Sequence, residues 1–119
     1  MNGADKIDWR NVRIDIEKLT EYLLSVTHPR GRSKAAYFYT LGFDLSNAAD
    51  FIAALVKQAS NGVASILEET TYGQLMKVEG IIIAPNARRA IIRSVWLVKP
   101  GERNPRLITA YPLKRRFEK

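Results

Sequence analysis

Apolar residues after Asp15 recur at helical spacing, at Ile16, Leu19, Leu23 and Val26, with Tyr22 and Leu24 beside them. This pattern predicts an amphipathic helix from Asp15 to Val26, with Asp15 as its N-cap or first-turn acid. Pro29 ends that helix, because the residue before a proline is pushed out of the α region. A second helix is expected from Arg32 or Ser33 through Tyr39 or Leu41, closed by Gly42 in a left-handed cap. The third follows the cap candidates in Leu45-Ser46-Asn47. It places Ala48, Phe51, Ile52, Leu55, Val56 and Ala59 on one face and ends at Asn61-Gly62.

Beyond Gly62 the period changes. Val63–Tyr72 is rich in β-formers but alternates poorly, and Leu75–Ile83 alternates at first and then becomes a continuous apolar run. Pro85-Asn86-Ala87 reads as a turn. In the following strand, Ala90–Val98, Ile92, Ser94, Trp96 and Val98 share one face, and Ile91, Arg93, Val95 and Leu97 the other. Pro100–Pro105 is a loop, and Arg106–Tyr111 is a last strand stopped by Pro112. Strict alternation there groups Leu107, Thr109 and Tyr111 against Arg106, Ile108 and Ala110. Helices first and strands after, joined by short loops, predict an α+β fold. About three N-terminal helices pack on one face of a roughly four-stranded antiparallel meander.

The chain has 119 residues, 46% of them hydrophobic, enough for one domain with a core of its own. Residues 1–13 read as a loosely docked lead-in and 114–119 as a basic tail. The absence of cysteine excludes disulfides, thiolate metal sites and cysteine nucleophiles, and one histidine leaves little from which to build a metal site. Hence no metal and no cofactor are expected. No apolar run reaches the roughly 20 residues needed to cross a bilayer, and the N-terminus lacks a signal peptide's charged and apolar regions; a protein that is cytoplasmic, or carried as part of something else, is expected.

Charge changes the picture most. The net +7 is uneven: residues 28–40 carry +3 and 73–119 carry +8, against −1 for 1–27 and −3 for 41–72. This asymmetry points to a polyanionic partner: nucleic acid, an anionic membrane or an acidic protein. His28, Arg30, Arg32 and Lys34 crowd one Pro/Gly-broken turn ahead of a helix start, which suggests a phosphate site. The plain alternative is a solvated histidine beside ordinary first-turn cations. However, cations at a helix N-terminus are unfavourable by a few tenths of a kcal/mol or more each, so a bound anion would offset a real penalty. Arg106, Thr109 and Tyr111 on the last strand are the second candidate group, and a strand with its mouth in solvent is the bland reading. Arg88, Arg89, Lys114, Arg115 and Arg116 are candidate nucleic-acid contacts, or simply solubilising charge. Among the strand acids Glu68, Glu69 and Glu79, any could be a general base, although exposed strand glutamates usually are not.

Four segments together resemble a bacterial domain family. They are Lys18-Leu19-Thr20-Glu21-Tyr22-Leu23-Leu24; His28-Pro29-Arg30-Gly31-Arg32-Ser33-Lys34-Ala35 with Phe38; Leu41-Gly42-Phe43; and Pro105-Arg106-Leu107-Ile108-Thr109-Ala110-Tyr111-Pro112. The family occurs as small standalone proteins, sometimes beside a small partner gene. It is also found at the C-terminal ends of filamentous-haemagglutinin-like polymorphic toxins. By fold-level analogy it is similar to the metal-independent ribonuclease toxins related to barnase, colicin nucleases and RelE.

That resemblance implies cleavage of RNA by the ribose 2′-hydroxyl, with inhibition by a small acidic partner protein. His28 would be one proton-transfer group, and Arg32, Lys34 and Arg106 would stabilise phosphorane charge. Thr109 and Tyr111 would orient the phosphate or move a proton, and Arg30 would contact phosphate peripherally. With one histidine, the second proton transfer falls to Tyr111, a lysine or a glutamate. Two other readings stay open at this point: a nucleic-acid-binding module without chemistry, and a basic protein-interaction module.

Overall fold

A computed structural model describes residues 7–24 and 32–113 of the chain. The elements run α1 (Ile16–Lys18), passing directly into a π-helical stretch Leu19–Leu23, then α2 (Arg32–Thr40), a 3₁₀ turn Leu45–Asn47, and α3 (Ala48–Asn61). Four strands follow: β1 (Val63–Thr70), β2 (Gly73–Ile83), β3 (Arg89–Val98) and β4 (Arg106–Pro112). They form one antiparallel sheet in sequential order, β1-β2-β3-β4. The expected α+β meander with helices on one face is what the chain builds.

The core lies between the helices and one face of the sheet. Phe38 of α2 and Phe51 of α3 are fully buried with centroids 4.6 Å apart, and Phe43 joins Phe51 at 4.8 Å. From the sheet, Met76, Val78 and Ile82 of β2, Ile92, Ser94, Trp96 and Val98 of β3, and Leu107 and Ala110 of β4 face them. The two faces that alternation gives β3 are therefore the ones observed, and the Ile92, Ser94, Trp96 and Val98 set is the one inside. The Ile81–Ile83 run also keeps its alternation, with Ile82 inside and its two neighbours exposed. Each fully buried Leu or Phe contributes about 1.5–3 kcal/mol.

Local geometry departs from simple periodicity in the first helix. The Leu24 N–H reaches the Leu19 carbonyl at 2.8 Å, one residue further than an α-helical bond. The wider turn carries both Leu19 and Leu24 into the core, while Ile16, which opens the expected stripe, is 54% exposed. Asp15 is the N-cap but makes no side-chain capping bond. Helix α2 ends as expected, with Gly42 at φ +99. Before α3, Asp44 caps the 3₁₀ turn in a reciprocal capping box with Asn47, whose amide also donates to the Gly42 carbonyl.

Residues 8–13 are tied along the outer edge of β4, more closely than a loose lead-in. The Arg13 N–H donates to the Pro105 carbonyl (2.7 Å), and the Leu107 N–H donates to that of Arg13 (2.9 Å). Trp9 packs edge-on against Trp96. The opposite edge differs: β1 has no strand beyond it among the described residues, and Val63–Glu69 are all exposed.

Candidate functional site

Strict alternation fails in β4. Val95 pairs with Thr109 but Trp96 pairs with Leu107, so Ile108 is an extra, bulged residue. The extra residue resets the faces. Leu107 and Ala110 turn into the core beneath Trp96 and Ser94, while Arg106, Thr109 and Tyr111 share the opposite, helix-free face. The sequence-based grouping of Leu107 with Thr109 and Tyr111 is thus corrected. A one-residue insertion inverts side-chain parity on one side of it, and the inversion brings the three candidate residues of this strand together.

Register then lays out the open face as rows across the sheet. One row is Glu79, Arg93, Tyr111; the next is Lys77, Val95, Thr109; the third is Leu75, Leu97, Arg106. Val95 forms a floor only 6% exposed. Around it stand Lys77, Arg93 and Arg106, the Tyr111 ring and the Thr109 hydroxyl. The Glu79 carboxylate accepts from Arg93 Nε at 2.9 Å and also from its terminal nitrogen, and Lys77 Nζ lies 3.5 Å from it. Hydrogen bonding from Arg93 holds the Glu79 carboxyl below its ordinary value of 4.5. The Arg93 guanidinium lies 6.0 Å from the Tyr111 ring centroid, and contacts to Tyr111 and then Glu79 raise its pKa, keeping it cationic. The Thr109 hydroxyl is buried and has no hydrogen-bond partner, so it is a polar atom waiting for an acceptor or donor.

The back of this face is fastened by Gln58 of α3, which is 2% exposed. Its amide nitrogen donates to the carbonyls of Val78 and Ile92, each at 2.9 Å, and its oxygen accepts from Ser94 Oγ at 2.7 Å. Trp96 Nε1 in turn donates to Ser94 Oγ at 2.7 Å. Those two carbonyls belong to the peptides that lead into Glu79 and Arg93, so one amide holds both residues from behind. Gly80 makes room: a Cβ there would sit 3.1 Å from Gly62 Cα and 3.5 Å from Gln58 Cγ.

Of the residues expected to act, Arg106, Thr109 and Tyr111 are brought together. Arg32 opens α2 and Lys34, two residues further on, is half-buried; α2 contacts β4. Arg88 and Arg89 are exposed at the β2–β3 turn, away from the Val95 floor. His28, Arg30, Lys114, Arg115 and Arg116 lie outside the described residues. Sequence reasoning missed Lys77, Arg93 and Gln58 and gave Glu79 no special place. A signal existed for Gln58, which falls on the stripe Phe51, Leu55, Ala59 at helical spacing.

A separate cleft of about 510 Å³ lies at the sheet's end, between Thr70–Gln74 and Val98–Arg103. Its charged lining pairs Glu69 and Glu102 with Lys99 and Arg103, so it lacks the cationic excess of the open face. Among the described residues no group of three His, Asp or Glu converges as a metal site, and no helix is long and apolar enough to cross a membrane.

A family model described as "Domain of unknown function (DUF6883)" matches residues 7–114. No curated protein matches the sequence. Among solved structures, the fold is similar to a chain of a contact-dependent growth inhibition toxin–immunity protein complex from Klebsiella pneumoniae 342. The TM-score is 0.67 at 20% identity, covering 90% of this chain and 97% of that one.

Proposed function

The chain belongs to the DUF6883 family, and we propose that it is a toxin-like ribonuclease domain that cleaves RNA by 2′-hydroxyl attack without a metal. The observation that carries this reading is the cluster over Val95. Three cations, a tyrosine and a partnerless threonine hydroxyl converge on one open patch of sheet. A phosphodiester meets the needs of such a patch. Its non-bridging oxygens accept from Arg93, Lys77 and Arg106, and Thr109 Oγ1 gains the partner it lacks. The net charge of +7 favours a polyanion in the same sense.

In this reading Arg106 and Arg93 stabilise charge on the phosphorane, and Thr109 and Tyr111 orient the phosphate. Lys34 and Arg32, on a helix that contacts β4, extend the phosphate track. His28 keeps its assignment as a proton-transfer group, and Arg30 its peripheral phosphate contact. Arg88, Arg89, Lys114, Arg115 and Arg116 attract the RNA backbone at longer range. The similarity to a chain of a toxin–immunity complex supports a protein partner. For a face with this excess of cations, that partner is a small acidic inhibitor, and the site of action is the cytoplasm, where RNA is found.

The test is incubation of the purified protein with total RNA in chelator, beside Arg106→Ala and His28→Ala, with analysis of product ends. Cleavage leaving 2′,3′-cyclic phosphate and reduced at least tenfold in Arg106→Ala is expected. Salt-sensitive binding without cleavage would instead make this a nucleic-acid-binding module. Cleavage indifferent to both substitutions would place the site elsewhere.

A further inference from the structure

We infer that Glu79 is the base that takes the 2′-hydroxyl proton and that Tyr111, two strands away in the same row, protonates the leaving 5′-oxygen, with Arg93 between them on the phosphate. This rests on the ribonuclease reading and revises one role within it: both proton transfers pass to residues that the sheet register aligns, and His28 is left as a phosphate contact. Glu79 pairs with Arg93 and Arg93 with Tyr111. Adjacent strands stand about 4.8 Å apart, so the two ends of the row are separated by roughly twice that spacing, with the guanidinium in the middle. Cleavage by a neighbouring hydroxyl is an in-line displacement. The attacking O2′ and the departing O5′ lie on opposite sides of phosphorus, so its base and its acid must also lie on opposite sides. A straight row of carboxylate, guanidinium and phenol across three strands meets that demand. The other acid on this face among the described residues, Glu68, stands opposite Leu75, in the third row rather than the first.

The step balances. Glu79 accepts the proton from O2′, the O2′–P bond forms and the P–O5′ bond breaks. Tyr111 delivers its proton to O5′, leaving a 2′,3′-cyclic phosphate and a free 5′-hydroxyl. Glu79 is then protonated and Tyr111 ionised, and exchange with water resets both.

Arg93 gives this arrangement a built-in trigger. In the free protein both of its contacts to Glu79 are charge-assisted hydrogen bonds, which keep the carboxylate ionised but weaken it as a base. A scissile phosphate over Val95 competes for the same guanidinium, and the more highly charged phosphorane competes harder. As Arg93 turns to it, the Glu79 lone pairs are released to the 2′-hydroxyl. Lys77, 3.5 Å away on the same strand, holds the carboxylate in place meanwhile.

The experiment compares wild type, Glu79→Gln and Glu79→Asp on total RNA across pH. Binding of a single-stranded DNA oligonucleotide, which has no 2′-hydroxyl to cleave, is measured in parallel. Loss of a general base lowers the rate by about 100-fold or more. Glu79→Gln is therefore expected to fall by that factor while binding DNA as well as wild type or better, one negative charge having gone. Its pH–rate profile should lose the acid limb that the wild type shows, and Glu79→Asp should recover part of the rate. Cleavage by Glu79→Gln within about threefold of wild type would overturn the assignment and leave the ribonuclease reading standing. A rate loss matched by an equal loss of DNA binding would also overturn it, making Glu79 a positioning residue for Arg93. Absence of cleavage by the wild type is the separate result that removes the ribonuclease reading and this inference together.

Discussion

Replacing Gln58 by alanine tests whether the open face depends on the amide behind it. The side chain is 2% exposed and takes part in three short hydrogen bonds, to the Val78 and Ile92 carbonyls and from Ser94 Oγ. Truncation leaves the Ser94 hydroxyl with only the Val78 carbonyl at 3.5 Å in place of its 2.7 Å acceptor, at about 1–3 kcal/mol for a buried, poorly satisfied group. It also removes roughly two buried methylene equivalents at about 0.8 kcal/mol each. A loss of about 3–4 kcal/mol is expected in urea unfolding, a large part of the roughly 5–15 kcal/mol of an ordinary domain. Ser94→Ala alone removes the donor to Gln58 and the acceptor of Trp96 Nε1. Because the two side chains share a bond, the double variant Gln58→Ala/Ser94→Ala should lose less than the sum of the singles, by about 1 kcal/mol or more. Additive losses, or a Gln58→Ala loss under about 0.5 kcal/mol, would refute the reasoning. If the clamp positions Glu79 and Arg93, the variant also loses RNA cleavage under conditions where it is still folded.

Other outcomes are expected. Gly73 sits at φ +134, and a Cβ there would lie 2.3 Å from the Val98 carbonyl oxygen; Gly73→Ala should cost at least 2 kcal/mol or so in the same unfolding assay. Deleting Ile108 should remove the bulge and leave Arg106, Leu107, Thr109 and Tyr111 on the faces they now occupy, because the pairs on either side of it already match one to one. Thermal unfolding is therefore expected to give a Tm within about 5 °C of the wild type, whereas an exchange of faces that exposed Leu107 would lower it by ~10 °C. Glu79 has a folded pKa below its ordinary 4.5, so the stability it contributes is fully present above that value and disappears as pH falls through the folded pKa. The stability difference between wild type and Glu79→Gln should therefore shrink as unfolding is measured at progressively lower pH below 4.5. Removing Lys77 or Arg106 should flatten the dependence of log K on log salt for single-stranded nucleic acid by about 0.7 each, measured by titration at several salt concentrations.

Much of this architecture follows from periodicity. In α3 the stripe through Phe51, Leu55 and Ala59 requires a buried face, and in β3 the alternation of Ile92, Ser94, Trp96 and Val98 with Arg93 and Val95 decides which residues point where. Gly42 marks the end of α2 for a local reason, its positive φ. These features depend on near neighbours in the chain, which is why reading the sequence in windows finds them.

The candidate site was only partly legible. Arg106, Thr109 and Tyr111 could be chosen from a single strand, but their common face could not, because the bulge at Ile108 is a property of the pairing between β3 and β4. The π-helical turn at Leu19–Leu23 is similar: the sequence reads as a regular helix, and contacts with the core select the wider turn that buries Leu24. Glu79 and Arg93 are 14 residues apart, and nothing local makes them partners until the β2–β3 register sets them side by side. The amino-acid sequence by itself determined the elements, their order and the excess of cations. Only the tertiary structure decided which charges meet, because pairing across strands is fixed by register and bulges, and those are settled by the packing of the whole sheet on its helices.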